Sequence, residues 1–145
     1  MFRKILVPID GSKHSMMAAA HAVDIAEKYH AAVTLLHVIN ISQLTGLDIM
    51  QGPPLITEGM SDKLNEAGQA IIAETLKSLP PHGVTINTEL VWGSPEAVII
   101  SRVKSEPYDL VVIGSRGLSA LSGLLLGSVS SRVVHRAPCP VMLVK

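Results

Sequence analysis

The stretch Val111-Val112-Ile113-Gly114-Ser115-Arg116-Gly117, followed after nine residues by Gly127-Ser128-Val129-Ser130, decides how this chain is built. An apolar run that stops at a glycine reads as a buried strand reaching its end. A second glycine follows three positions later, and a third opens what should be the last helix. Glycines at such junctions let backbone N–H groups approach a ligand with no Cβ in the way. A helix start adds unpaired N–H donors and a partial positive charge. The stretch is therefore predicted to be an anion cradle suited to phosphate.

Working outward, Ile5-Leu6-Val7-Pro8-Ile9 is a continuous apolar run, as expected of a strand buried on both faces. Pro8 has no N–H to give a ladder, so the strand is predicted to end there. Asp10-Gly11-Ser12 reads as a turn into a helix, with Asp10 or Ser12 as the cap. Met16, Ala19, Ala22, Val23 and Ala26 share one face of that helix, opposite Asp24, Glu27 and Lys28. Ala32 to Val38 is a second buried strand. Residues 40–60 contain Gly46, Gly52, Pro53, Pro54 and Gly59, too long and too broken for an ordinary connection, and are predicted to form a lid or flap.

A helix is expected over Ser61–Leu79, with Leu64, Ala67, Ile71 and Leu79 inward and Pro80-Pro81 and Gly83 ending it. Val84 to Val91 alternates partly, as a strand near a sheet edge would, with Trp92 just beyond it. Ser94-Pro95-Glu96 combines a hydroxyl cap, proline at the first helical position and an acid, and that helix should stop before Pro107. Asp109 to Ile113 is the fourth strand and Val141 to Val144 the fifth, joined by a helix from about Ser128 to His135. The alternation of strands and helices predicts an α/β architecture, a parallel sheet covered on both faces. Ligands bind beyond the strand C-termini where the winding reverses. Pro8-Ile9-Asp10, Val38 and Ile113-Gly114 all lie at such ends, and meet the glycine loop if strands one and four are neighbours.

The 145 residues suit a single domain, and 48% hydrophobic content suits a folded one. Twelve basic residues cancel twelve acidic ones, which removes the footprint of a nucleic-acid binder. Aromatics are only 3%, too few for a base-stacking surface. Cys139 is the single cysteine, so no intrachain disulfide forms and a cytoplasmic location is expected. Its simplest reading is a small buried hydrophobe. Arg3-Lys4 precedes only a short apolar run, which does not read as a signal peptide, and no run reaches the ~18 apolar residues of a membrane span.

No G-x-x-x-x-G-K-[ST] and no G-x-G-x-x-G after the first strand occurs, which excludes the common nucleotide fingerprints. The run Gly114-Ser115-Arg116-Gly117, nine residues, Gly127-Ser128 instead resembles the G-x2-G-x9-G-[ST] nucleotide motif of the universal stress protein family. Ile5 to Ser12 looks like that family's first strand and loop, and Ala137-Pro138-Cys139-Pro140-Val141 like its approach to the last strand. The resemblance implies a three-layer, Rossmann-like ATP-binding domain, an open parallel five-stranded sheet of order 3-2-1-4-5, usually a homodimer. Carried over by position, Pro8, Ile9, Asp10 and Val38 would surround adenine and ribose. Ile113 and Gly114 would follow at the ribose end, and Gly117, Gly127, Ser128, Val129 and Ser130 would hold phosphates through N–H and hydroxyl groups. Arg116 is placed to add charge to a phosphate, although a solvated arginine is its simpler reading. The implied ligand is ATP or another adenine nucleotide, with Mg²⁺ held mainly by its phosphates.

Asp10 is equally a helix cap, a role compatible with ribose binding. The six histidines show no metal-ligand spacing with one another or with Cys139. His37, on a buried strand, reads as a satisfied core residue near the cleft. No lysine belongs to the glycine motif and Asp10 is the one acid expected nearby, so hydrolysis would be slow at best. A nucleotide-dependent regulatory module with an unspecified protein partner is the leading expectation. An adenine-nucleotide hydrolase or adenylyl-transfer enzyme is the alternative, although neither S-G-G-x-D-S nor H-I-G-H is present. The last strand, 141–144, presents an apolar edge if it borders the sheet, which predicts pairing with a second copy.

Overall fold

The computed structural model describes residues 1–42, 58–117 and 126–145. Its first strand, β1 (Lys4–Pro8), shows why the sheet is covered on both sides: Ile5, Leu6 and Val7 are all inaccessible to solvent. Alternate residues leave in opposite directions. Ile5, Val7 and Ile9 join a core with Val33, Leu35 and the alanines of helix α1 (Lys13–Tyr29). Leu6 joins a second core with Leu36, Val111, Ile113 and residues of the other face's helices.

The remaining elements are β2 (Ala32–Asn40), α2 (Glu58–Ser78), β3 (Ile86–Gly93), α3 (Pro95–Ser105), β4 (Leu110–Gly114), α4 (Ser128–Arg136) and β5 (Val141–Val144). The strands pair in the order β3-β2-β1-β4-β5, all parallel. α1 and α2 cover one face through Ala18, Ala19, Ala22 and Ile72. α3 and α4 cover the other through Ile99, Val103 and Val133. Each fully buried Leu, Ile or Val contributes about 1.5–3 kcal/mol by leaving water. The predicted three-layer α/β fold, the order 3-2-1-4-5 and the neighbouring of strands one and four are all present.

Local chemistry sets the ends. Pro8 closes β1, as expected from its missing N–H. Ser12 caps α1, its Oγ accepting the Ser15 N–H at 3.2 Å. His30, at φ 56, ends that helix in a left-handed conformation and donates its N–H to Ala26.

Four details depart from the sequence reading. Ala18 is buried in α1 where Met16 was expected, and Met16 is half-buried. α2 begins at Glu58, and its buried residues are Gly68, Ile72 and Thr75; Ala67 is exposed. Of the residues expected inward, Ile71 and Leu79 do pack half-buried against the core, while the fully buried positions fall to Gly68, Ile72 and Thr75, whose Oγ1 donates to Ile71 O at 2.8 Å. Trp92 lies within β3, and its Nε1 donates to Asn65 Oδ1 at 2.9 Å. Ser94 occupies the α3 cap position without a side-chain cap bond; its hydroxyl serves the Glu96 carboxylate. The lid predicted over 40–60 lies for the most part outside the described residues.

At the N-terminal end of the strands, polar groups tie β1 to β4. Asp109 Oδ2 accepts the N–H groups of Arg3 at 2.7 Å and Lys4 at 2.9 Å, and these bonds hold its carboxyl below the usual range. Lys4 pairs with Glu106, which raises the amine and, with Arg102, lowers the carboxyl. Arg102 also reaches Glu89 of β3 at 2.7 Å. These shifted groups form a structural network remote from the strand C-termini.

Candidate functional site

A cleft of about 590 Å³ opens over the C-terminal ends of β1, β2 and β4. That volume falls within the ~300–1,000 Å³ usual for small-molecule sites. Every residue singled out from the sequence borders it: Pro8, Ile9, Asp10, Val38, Ile113, Gly114, Arg116, Gly117, Gly127, Ser128, Val129 and Ser130. A smaller hollow of about 380 Å³ lies at the far end of α1, around His30 and Val84. Among the described residues no helix starts there to supply donors.

Chain reversal after β1 builds one wall. Ile9 N–H still bonds Leu36 O at 2.9 Å, holding the end of β1 against β2. Asp10 then turns the chain, Oδ1 accepting the Ser12 N–H at 2.9 Å. Gly11 takes φ +83, a conformation costly for any side chain. Asp10 is thus a turn former whose carboxylate stands at the mouth of the cleft.

The glycines of the opening motif serve three different causes. A Cβ at Gly114 would lie 2.9 Å from the backbone carbon of His14, so this glycine lets the start of α1 sit on the end of β4. A Cβ at Gly117 would lie 2.6 Å from Asp10 Oδ2, so this one joins the two loops. At Gly127 the nearest atom to such a Cβ is Ser115 O at 3.5 Å, an ordinary contact, and φ is −68. Among the described residues nothing demands a glycine at 127. A Cβ there would instead occupy space beside Gly117, inside the cradle.

α4 starts at this point. Gly127 N–H is already given to Ser115 O at 2.7 Å, and Ser130 Oγ donates to Gly114 O at 2.6 Å. The Gly127 N–H and the Ser130 hydroxyl are therefore both engaged within the protein. The N–H groups of Ser128, Val129 and Ser130, in the first turn, have no partner inside the helix, and the Ser128 hydroxyl is exposed. These groups can meet one anion. Val38 and Ile113, at 8% and 5% exposure, form an apolar floor.

Several lining residues were not read from the sequence as site residues: Ser15, Leu64, Gly68, Pro95 and Ile99. Gly68 is the one that carried a signal, as a glycine inside a helix normally weakens it by about 1 kcal/mol. Here it gives room to Leu90 and His37, whose atoms would lie 2.6 and 3.3 Å from its Cβ. His37 Nδ1 donates to Ile9 O at 2.8 Å, the satisfied core histidine that was expected. Among the described residues no group of three or more His, Cys, Asp or Glu could hold a metal ion. Nor, among them, is any helix long and apolar enough to cross a membrane.

Comparison with known proteins agrees with this architecture. The model of the universal stress protein family matches residues 1–145. Universal stress protein MJ0531 of Methanocaldococcus jannaschii is 37% identical over 145 residues, covering all of this chain and 83% of that protein. The solved structure of universal stress protein UspA from Lactobacillus plantarum superposes with a TM-score of 0.80 at 28% identity, covering 99% of this chain and 98% of that one. A universal stress protein solved in complex with cAMP superposes at 0.72 with 26% identity, covering 99% and 97%. The chain belongs to the universal stress protein family.

Proposed function

We propose that this chain is an ATP-binding regulatory module of the stress response, its 145 residues one nucleotide-binding domain. The observation that carries the reading is the start of α4 in the cleft, where the N–H groups of Ser128, Val129 and Ser130 have no partner inside the helix and a Cβ on Gly127 would stand 3.5–3.7 Å from Ser115, Arg116 and Gly117, on the cradle side. Phosphates would lie on Ser128, Val129 and Ser130 N–H, with the Ser128 hydroxyl and Arg116 alongside. Gly114 and Gly117 would allow the close approach. Base and ribose would occupy the space between Pro8, Ile9, Asp10, Val38 and Ile113, with the Asp10 carboxylate accepting from a ribose hydroxyl. A cAMP-bound relative supports an adenine nucleotide as the ligand class. Mg²⁺ would be held mainly by the phosphates.

Turnover needs a base, a positioned water and charge on the transferred group. Asp10 is engaged in its turn, and no lysine stands in the cradle, so hydrolysis is slow at best. The bound nucleotide acts by ordering the chain around the cradle and altering a surface for a protein partner. The working unit is a cytoplasmic homodimer joined through β5.

Mass spectrometry of whatever nucleotide the purified protein releases on denaturation, run beside Gly127→Val, tests this. An adenine nucleotide from the wild type and little from the variant is expected. Equal nucleotide content in two folded proteins would defeat the assignment.

A further inference from the structure

His37 precedes Val38 on β2 and keeps only 9% of its surface exposed. Its Nδ1 lies 2.8 Å from the Ile9 carbonyl. A carbonyl only accepts, so the proton sits on Nδ1, and in the neutral ring Nε2 is left as an acceptor. The opposite flank, Cδ2, would stand 3.3 Å from a Cβ on Gly68. The end of β1 and helix α2 therefore hold the ring from both sides. What remains is the Cε1–Nε2 tip, on a residue that borders the cleft. Among the described residues no hydrogen bond reaches Nε2. A buried ring fixed in one tautomer, with a vacant acceptor at a cavity, is suited to reading a donor.

We propose that His37 Nε2 selects the base, accepting a hydrogen bond from the exocyclic amino group of a 6-aminopurine. A 6-oxopurine would set its O6 acceptor against the Nε2 acceptor and is rejected. This rests on the adenine-nucleotide reading of the same cleft. His37 is then a specificity residue in addition to a structural one.

The test is calorimetric titration with ATP, ITP and purine riboside triphosphate, which lacks any 6-substituent. His37→Asn keeps a donor near the Nδ1 position for Ile9 O and has no atom at Nε2. His37→Gln reaches the Nε2 position with Oε1. The wild type should bind ATP about tenfold more tightly than purine riboside triphosphate, the value of one good hydrogen bond, and ITP more weakly still. His37→Asn should bind ATP and purine riboside triphosphate equally, and His37→Gln should keep the preference. A wild type that binds all three alike, or a folded His37→Asn with its preference intact, overturns the His37 assignment alone. A wild type that binds none overturns the nucleotide reading and this one with it.

Discussion

The Asp10 carboxylate and the Gly117 backbone are in contact, close enough that a Cβ on Gly117 would lie 2.6 Å from Asp10 Oδ2. The loops that follow β1 and β4 therefore fix each other across the cleft. A side chain at 117 has to displace Asp10, whereas a Cβ at 127 meets only ordinary contacts among the described residues.

Gly117→Ala and Gly127→Ala should consequently fail in different ways. Gly117→Ala pushes Asp10 out of its turn, lowering both melting temperature and affinity. Gly127→Ala leaves the melting temperature within about 2 °C and lowers nucleotide affinity by about tenfold, the loss of roughly one hydrogen bond's worth of approach. Thermal melts paired with calorimetry separate the two. A Gly127→Ala protein that binds ATP as the wild type does would remove the steric argument for the cradle.

The two α4 serines should divide in the same manner. Ser130→Ala removes a buried donor and leaves Gly114 O unpaired, at a cost of about 1–3 kcal/mol. For a chain of this size that is a fall of roughly 3–10 °C in melting temperature. Ser128→Ala touches an exposed hydroxyl and should leave stability unchanged while weakening nucleotide binding about threefold to tenfold. The reverse pattern would mean that the Ser130 hydroxyl is free for ligand after all.

Acid stability should carry the mark of Asp109. Its carboxyl is lowered first by the Arg3 N–H and then by the Lys4 N–H, so folding favours the ionised form. A group lowered in the folded state stabilises fully above its unfolded pKa and loses that contribution as pH falls through its folded pKa. Urea denaturation should thus show wild type exceeding Asp109→Asn at neutral pH, with the gap closing in acid below the ordinary carboxylate range. A gap constant from neutral to strongly acidic pH would contradict the assignment.

Trp92 offers an optical handle as the single tryptophan. Its bond to Asn65 joins β3 to α2, one wall of the cleft. Asn65→Ala should shift the emission maximum and cost about 1 kcal/mol by denaturant titration. Unchanged emission would place the indole N–H elsewhere in solution.

Sedimentation equilibrium addresses assembly. Pairing through β5 predicts a mass of twice 15.4 kDa at micromolar concentration. A mass of one chain would discard the dimer.

The parallel, doubly covered sheet was legible because β1 and β4 read as apolar runs and β2 departs from one only at Thr34, His37 and Asn40, whereas the order 3-2-1-4-5 was implied by the resemblance to the universal stress protein family. The motif glycines and the strand ends located the cleft for the same reason, as both are backbone properties that composition records. What escaped was decided by side-chain geometry. Gly68 and Thr75 make the buried face of α2, and neither is apolar in the sense that periodicity detects. Ser94 sits where a cap belongs but turns to Glu96, and Ser130 sits at a helix start but turns to Gly114. A serine's position is in the sequence; the direction of its hydroxyl follows from what packs beside it. The wall contributed by α2 depends on a long-range contact with β2 and β3 that no local pattern encodes.

The two edges of the sheet are unlike. β5 is short and apolar, while β3 exposes Asn87 and Thr88 and engages Glu89 with Arg102 at 2.7 Å. If β5 of one molecule could add to β3 of the next, the sheet would grow without limit into a filament. The polar, ion-paired β3 edge opposes that addition. If β5 pairs with its own copy as proposed, and the β3 edge refuses it, growth ends at two chains, and the sheet's asymmetry would then guard against fibre formation.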